Sequence, residues 1–153
     1  MKIILIILIS TLIYANELQI KAKSFESDQS KGIATFSGDV NIIKDRDELN
    51  ASKVTIYTDT NNKPTKFIAK GDVSFKIETL TGETYKGVSQ KAIYIPLTKE
   101  YYFYDKVHII QIGENNEIIG DEVVIKTTEG KAKAKSKTNK PVIMIFNLKE
   151  EKK

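Results

Sequence analysis

The chain contains no cysteine. A disulfide scaffold, a thiolate zinc site, an iron–sulfur cluster, a cysteine nucleophile and a lipid-modified N-terminal cysteine are therefore excluded. Histidine is nearly absent as well: His108 stands alone, and no nucleophile motif accompanies it, so an enzyme has no constellation to work with. No catalytic residue, metal site or cofactor is expected. Charge of one sign is also lacking. Lys plus Arg number 24 against 20 Asp plus Glu, a net charge of +4, which is mildly basic and short of the concentrated positive field of a dedicated nucleic-acid binder. No nucleic-acid partner is expected. The length of 153 residues suits one domain and is too short for two well-developed cores.

Long apolar runs are missing after residue 15. The one such run, Ile3 to Ile13, is broken only by Ser10 and Thr11, preceded by Lys2 and followed by Ala15 and the first acid, Glu17. That layout is that of a secretory signal, and it falls short of the roughly 20 apolar residues of a permanent membrane span. Removal after Ala15 is expected, although Ile13 occupies a position where a smaller residue is commoner, so a retained anchor is the alternative. The expected organisation is a signal peptide over 1–15, a β domain over 16–148 and a charged tail over 149–153.

From Asn16 onward, 17 Ile, 8 Val, 12 Thr, 6 Tyr and 6 Phe make up 49 of 138 residues, against only 5 Leu and 7 Ala. Cβ-branched and aromatic side chains suit a pleated surface, whereas helices favour Leu and Ala. The composition predicts an all-β chain. Turn signals recur at Asp28–Gly32, Lys44–Glu48, Asp59–Pro64, Thr79–Glu83, Pro96–Glu100, Gly113–Glu117, Thr127–Gly130 and Ser136–Pro141. The arms between them run to roughly 12 residues, about 40 Å at 3.3 Å per residue and twice an ordinary strand, so a bend partway along each is expected.

Glycines or small residues near the arm centres, Gly38, Ala51, Gly71, Gly87 and Gly120, mark the bends. In Phe36–Gly38–Val40–Ile42 and Ala69–Gly71–Val73–Phe75–Ile77 the apolar set keeps one parity through the glycine. In Ala51 to Val54, Gly87 to Ala92 and Gly120 to Val123 it jumps by an odd step, which reads as an extra, bulged residue in those arms. Gly38-Asp39-Val40, Gly71-Asp72-Val73 and Asp105-Lys106-Val107 form an internal repeat whose valines lie 33 and 34 residues apart. Stacked β units that each bury a face on the next follow from that period. The expected object is an elongated, open, twisted antiparallel β jelly roll built from repeated bent arms.

Its inner face would carry Phe36, Val40, Ile42, Val54, Ile56, Val73, Phe75, Ala92, Tyr94, Val107, Ile109, Val123 and Ile125; Lys53, Lys76, Lys91 and His108 would face outward. By pattern alone the inner set serves equally as a dry sandwich core or as an apolar trough.

The export signal, the repeated Gly-Asp-Val followed by alternating apolar positions, the stretch Asp47-Glu48-Leu49-Asn50-Ala51-Ser52-Lys53-Val54 and the stretch Gln90-Lys91-Ala92-Ile93-Tyr94 together resemble the LptA (OstA-like) family, from about Leu18 to Phe146. Asp105 departs from the family pattern at the third bend. The resemblance implies a periplasmic, non-enzymatic protein of lipopolysaccharide transport, with the thirteen inner residues shielding the acyl chains of lipid A. It further implies head-to-tail assembly with copies of itself, an LptC-like inner-membrane component at the N-terminal end and an LptD-like outer-membrane component at the C-terminal end.

Burying an acyl chain gains about 0.8 kcal/mol per methylene, so an apolar trough open on one side would carry chains that cannot cross water unaided. Val142, Ile143, Met144, Ile145 and Phe146 read as an assembly strand, or else as a strand interior to its own sheet. Lys131, Lys133, Lys135 and Lys137 alternate with small residues, so they are candidate phosphate contacts, or lysines that keep an edge from aggregating. A membrane-anchored, LptC-like relative, a ligand-free structural β-repeat protein of the envelope and a carbohydrate-active enzyme on a jelly-roll scaffold are the competing readings. The last would need paired inward carboxylates, and the inner set holds none.

Overall fold

The structure, a computed structural model, describes residues 17–137 and 139–148. The expected signal peptide over 1–15 and the tail over 149–153 lie outside the described residues. Ten strands and no helix are present among the described residues: β1 (Leu18–Lys21), β2 (Ser24–Asp28), β3 (Ile33–Lys44), β4 (Asp47–Thr58), β5 (Pro64–Glu78), β6 (Thr84–Ile95), β7 (Glu100–Gln111), β8 (Asn116–Lys126), β9 (Lys131–Lys135) and β10 (Ile143–Ile145). All pairings are antiparallel. The six long arms β3 to β8 each pair with their sequence neighbours, and the sheet stays open, with β1 and β2 at one end and β9 and β10 at the other. Turn residues occupy the first seven expected hairpins, and the eighth signal connects β9 to β10.

Every long arm bends at its middle, because the register shifts there: between Ser37 and Val40, Asn50 and Lys53, Lys70 and Val73, Val88 and Lys91, and Tyr104 and Val107. The halves form two walls. The first holds β2, residues 33–37, 53–58, 64–70, 91–95, 100–104 and 122–126, and β9; the second holds β1, residues 40–44, 47–51, 73–78, 84–89, 107–111 and 116–120, and β10.

The extra residue sits on the arms read as straight, which corrects the sequence reading. Gly38 and Asp39 together oppose Ser52, Gly71 and Asp72 oppose Gln90, and Asp105 and Lys106 oppose Asp121. Both residues of each pair have positive φ: 84° and 44°, 85° and 46°, 64° and 51°. Two consecutive left-handed residues turn the chain through the corner while the inner set resumes four residues on, as at Ala69 to Val73. The neighbouring arms need only three residues, as at Ala51 to Val54. Parity registers a step length along one strand, not which partner holds the surplus. Asp105 supports the third bend without a glycine, consistent with the tolerance of aspartate for this region.

The core runs between the walls and includes Val40, Val54, Val73, Phe75, Ala92, Phe103, Val107, Ile109, Val123 and Ile125. Ser89, buried at a corner, is satisfied by donating its hydroxyl to the Lys91 carbonyl at 3.0 Å.

Candidate functional site

All thirteen residues of the inner parity set meet in this one interior. Eleven are buried and two, Phe36 and Tyr94, are partly buried against the others. The same interior recruits Leu49, Ala69, Ile77, Tyr101 and Phe103, outside that set. The signal for them was available: Ala69 and Ile77 share the parity of Val73, and Tyr101 and Phe103 join Val107 through the same four-residue step.

The walls do not leave a gap along their whole length. In the middle, Phe75 from the second wall stacks on Phe103 from the first, ring centroids 3.8 Å apart, and Val54, Phe103, Val107, Ile109, Val123 and Ile125 have no exposed surface. Of the two readings the pattern left open, the centre follows the dry core, because two aromatic rings from opposite walls fill the space that alternation alone leaves unassigned.

Toward the ends the walls part. At the N-terminal end lies a small pocket lined by Leu18, Ile42, Leu49, Val54, Phe67, Ala69, Ala92, Tyr94 and Tyr101 among others, with Lys44, Asp47 and Glu48 at its rim. At the C-terminal end Tyr85, Ile118, Ala132, Ala134, Met144 and Phe146 line a second cleft between β9 and β10. Of the expected groove, therefore, Ile42, Ala92 and Tyr94 border an accessible space, and Val54, Phe75, Val107, Ile109, Val123 and Ile125 form the packed middle.

Ties between the wall tips hold this shape. The Tyr101 hydroxyl donates to Asp47 Oδ2 at 2.8 Å, and the Glu78 amide donates to Asp47 Oδ1 at 2.9 Å. Burial holds the Asp47 carboxyl above the usual aspartate range, even though both hydrogen bonds and the Lys44 ammonium favour its charged form. Burial and the Asp47 carboxylate push the Tyr101 phenol up, and burial does the same to Tyr94. Further along, the Leu80 amide of one tip donates to the Thr127 carbonyl of the other at 2.9 Å.

The residues read as an assembly strand lie at an edge and not inside the sheet. Ile143 to Ile145 form β10, which pairs with β8 alone, and Phe146 beyond it is 62% exposed. Five apolar residues in a row suggested cover on both faces; within one chain that cover is not supplied.

The four lysines divide. Lys131, Lys133 and Lys135 alternate with Ala132 and Ala134 along β9, whereas Lys137 lies past the strand and pairs with Glu122 at 3.3 Å and Asp105 at 3.9 Å. Lys131 pairs with Glu129 at 3.2 Å, and Lys133 and Lys135 are exposed. His108 faces outward and is half-buried, its Nε2 3.0 Å from Glu117 Oε1.

The family model described as LptA/(LptD N-terminal domain) LPS transport protein matches residues 19–131. The chain belongs to this family. It is an LptA-like protein of lipopolysaccharide transport, and the family is one of transport proteins, not of enzymes. Among solved structures, that of LptH from Pseudomonas aeruginosa, described as the LptA homologous periplasmic component of the conserved lipopolysaccharide transport device, is similar over 87% of this chain and 96% of that one. The TM-score is 0.76 at 20% sequence identity, a likeness of fold. A search of curated protein sequences finds no match.

Proposed function

We propose that this LptA-like protein works in the periplasm, holds the acyl chains of lipid A in its apolar interior and joins head to tail into a bridge between the two membranes. The observation that carries the reading is an apolar interior with a pocket at each end, packed shut between them by Phe75 and Phe103, where the pocket beside Tyr94 and the cleft beside Met144 would be continued by the next copy. Residues 1–15 act as the export signal and are removed after Ala15, 16–148 form the carrier domain, and 149–153 remain as a charged tail.

A dozen-carbon chain left in water costs on the order of 10 kcal/mol, and apolar side chains relieve that cost without polar atoms to satisfy. Passage from one end to the other requires Phe75 and Phe103 to part. The open backbone edges of β1 and β2 and of β9 and β10 supply the head-to-tail contact. The LptC-like component meets the N-terminal edge and the LptD-like component the C-terminal one. Lys133 and Lys135, free of ion pairs among the described residues, are the better placed of the four lysines to meet lipid phosphates.

A photocrosslinking residue placed at Tyr94 or Met144, and at the outward Lys76 as a control, tests this in living cells. Lipopolysaccharide adducts at the first two and none at Lys76 are expected. Adducts at Lys76 alone, or at no position, would leave a ligand-free structural protein as the better reading.

A further inference from the structure

We propose that the outer face of the first wall docks on an anionic lipid bilayer. On that face Lys53 lies directly opposite Lys70, and Lys70 directly opposite Lys91. Adjacent strands are about 4.8 Å apart, so three lysines stand in a row across β4, β5 and β6. Like charges placed opposite one another destabilise a sheet. Protection of an edge accounts for lysines on β9, but β4, β5 and β6 are paired on both sides and need none. Among the described residues none of the three joins an ion pair, and the Lys91 ammonium lies 5.5 Å over the ring of Tyr104, the next residue in the row.

The second wall is different. One of its rows runs Glu48, Lys76, Lys86, Ile110, Glu117, two lysines between two acids, whereas the first-wall row has three lysines, Tyr104 and one acid, Glu122, which is itself paired with Lys137 at 3.3 Å. Positive charge unmatched by acids is therefore concentrated on one back of the molecule.

Two features select a bilayer over a soluble anionic polymer. Beside the ladder runs a row of half-buried Ile68, Ile93, Tyr102 and Val124, and at the tip of the same wall Leu97 is 93% exposed. Anionic headgroups answer the lysines, while the bilayer interface takes the leucine and the tyrosine. The face points away from the apolar interior, so docking leaves the pocket beside Tyr94 unobstructed.

Vesicle co-sedimentation tests the proposal with the full protein, every variant carrying the same N-terminus. Phosphatidylethanolamine vesicles containing phosphatidylglycerol should bind it, phosphatidylcholine vesicles should not, and raising the salt should release it. At about fivefold per lysine, the combined Lys53→Gln, Lys70→Gln, Lys91→Gln variant should bind roughly 100-fold more weakly. The corresponding Lys→Arg variant should bind as the wild type does, and Lys76→Gln with Lys86→Gln should change little. Equal binding to both vesicle types, undiminished binding of the triple glutamine variant, equal losses on the two faces, or sedimentation with a purified anionic glycan but not with vesicles would each overturn it. The vesicles contain no lipopolysaccharide, so the result stands apart from crosslinking at Tyr94.

Discussion

Asp47 shows how a single residue couples the walls to pH. Its carboxylate receives Tyr101 from the opposite wall and the Glu78 amide from its own, yet burial makes the charge costly and raises its pKa. The folded state therefore holds more protons than the unfolded chain between the ordinary aspartate value and the raised one. Stability from this group is present in full below that window, falls as pH rises through it, and is flat above. Asp47→Asn removes the slope, so in urea titrations the unfolding free energy of the variant relative to wild type should increase from acid to neutral pH. A difference independent of pH would contradict the assignment. Tyr101→Phe leaves Asp47 Oδ2 without its donor and should cost about 1–3 kcal/mol, read from the same titrations at neutral pH. Neither effect was legible in the sequence, because Asp47 and Tyr101 lie 54 positions apart and meet only when the walls fold together.

At the level of the strand, the bends were legible and their bookkeeping was not. The repeat Gly38-Asp39, Gly71-Asp72, Asp105-Lys106 marks all three left-handed corners. A side chain at Gly71 would meet φ of +85° and place its Cβ 2.8 Å from Ser52 Oγ, so Gly71→Ala should lose about 1–3 kcal/mol in equilibrium unfolding. The third corner offers the reverse case. Asp105 sits at φ 64°, its contact with Lys137 is long and exposed, and Asp105→Gly should gain about 0.5–1 kcal/mol by the same measurement. A loss of more than about 1 kcal/mol would mean that the aspartate side chain, not its backbone, holds the bend.

For the whole molecule, the decisive contact is the Phe75–Phe103 stack that divides the interior into two end pockets. Phe103→Ala should cost about 3–5 kcal/mol, measured by thermal or urea unfolding, because the ring is fully buried. If the interior carries acyl chains past this point, the same variant should increase crosslinking of lipopolysaccharide at the central positions among molecules that remain folded. At the open edge, Ile145→Lys places a charge on a strand that pairs with β8 alone. Light scattering over a concentration series should then show wild-type chains growing in mass and the variant remaining small. A wild type that stays monomeric at high concentration would count against head-to-tail assembly.

Composition and period by themselves determined that the chain is all-β, that its arms bend at the repeat positions, and which side chains face inward, since a strand alternates faces with a period of two whatever it packs against. Tertiary structure alone decided where that interior is open and where it is closed, which arm holds the surplus residue at each corner, and which residues tie the wall tips. These depend on how volumes and registers from different strands meet, as Phe75 meets Phe103, and alternation along one strand carries no information about what stands across from it.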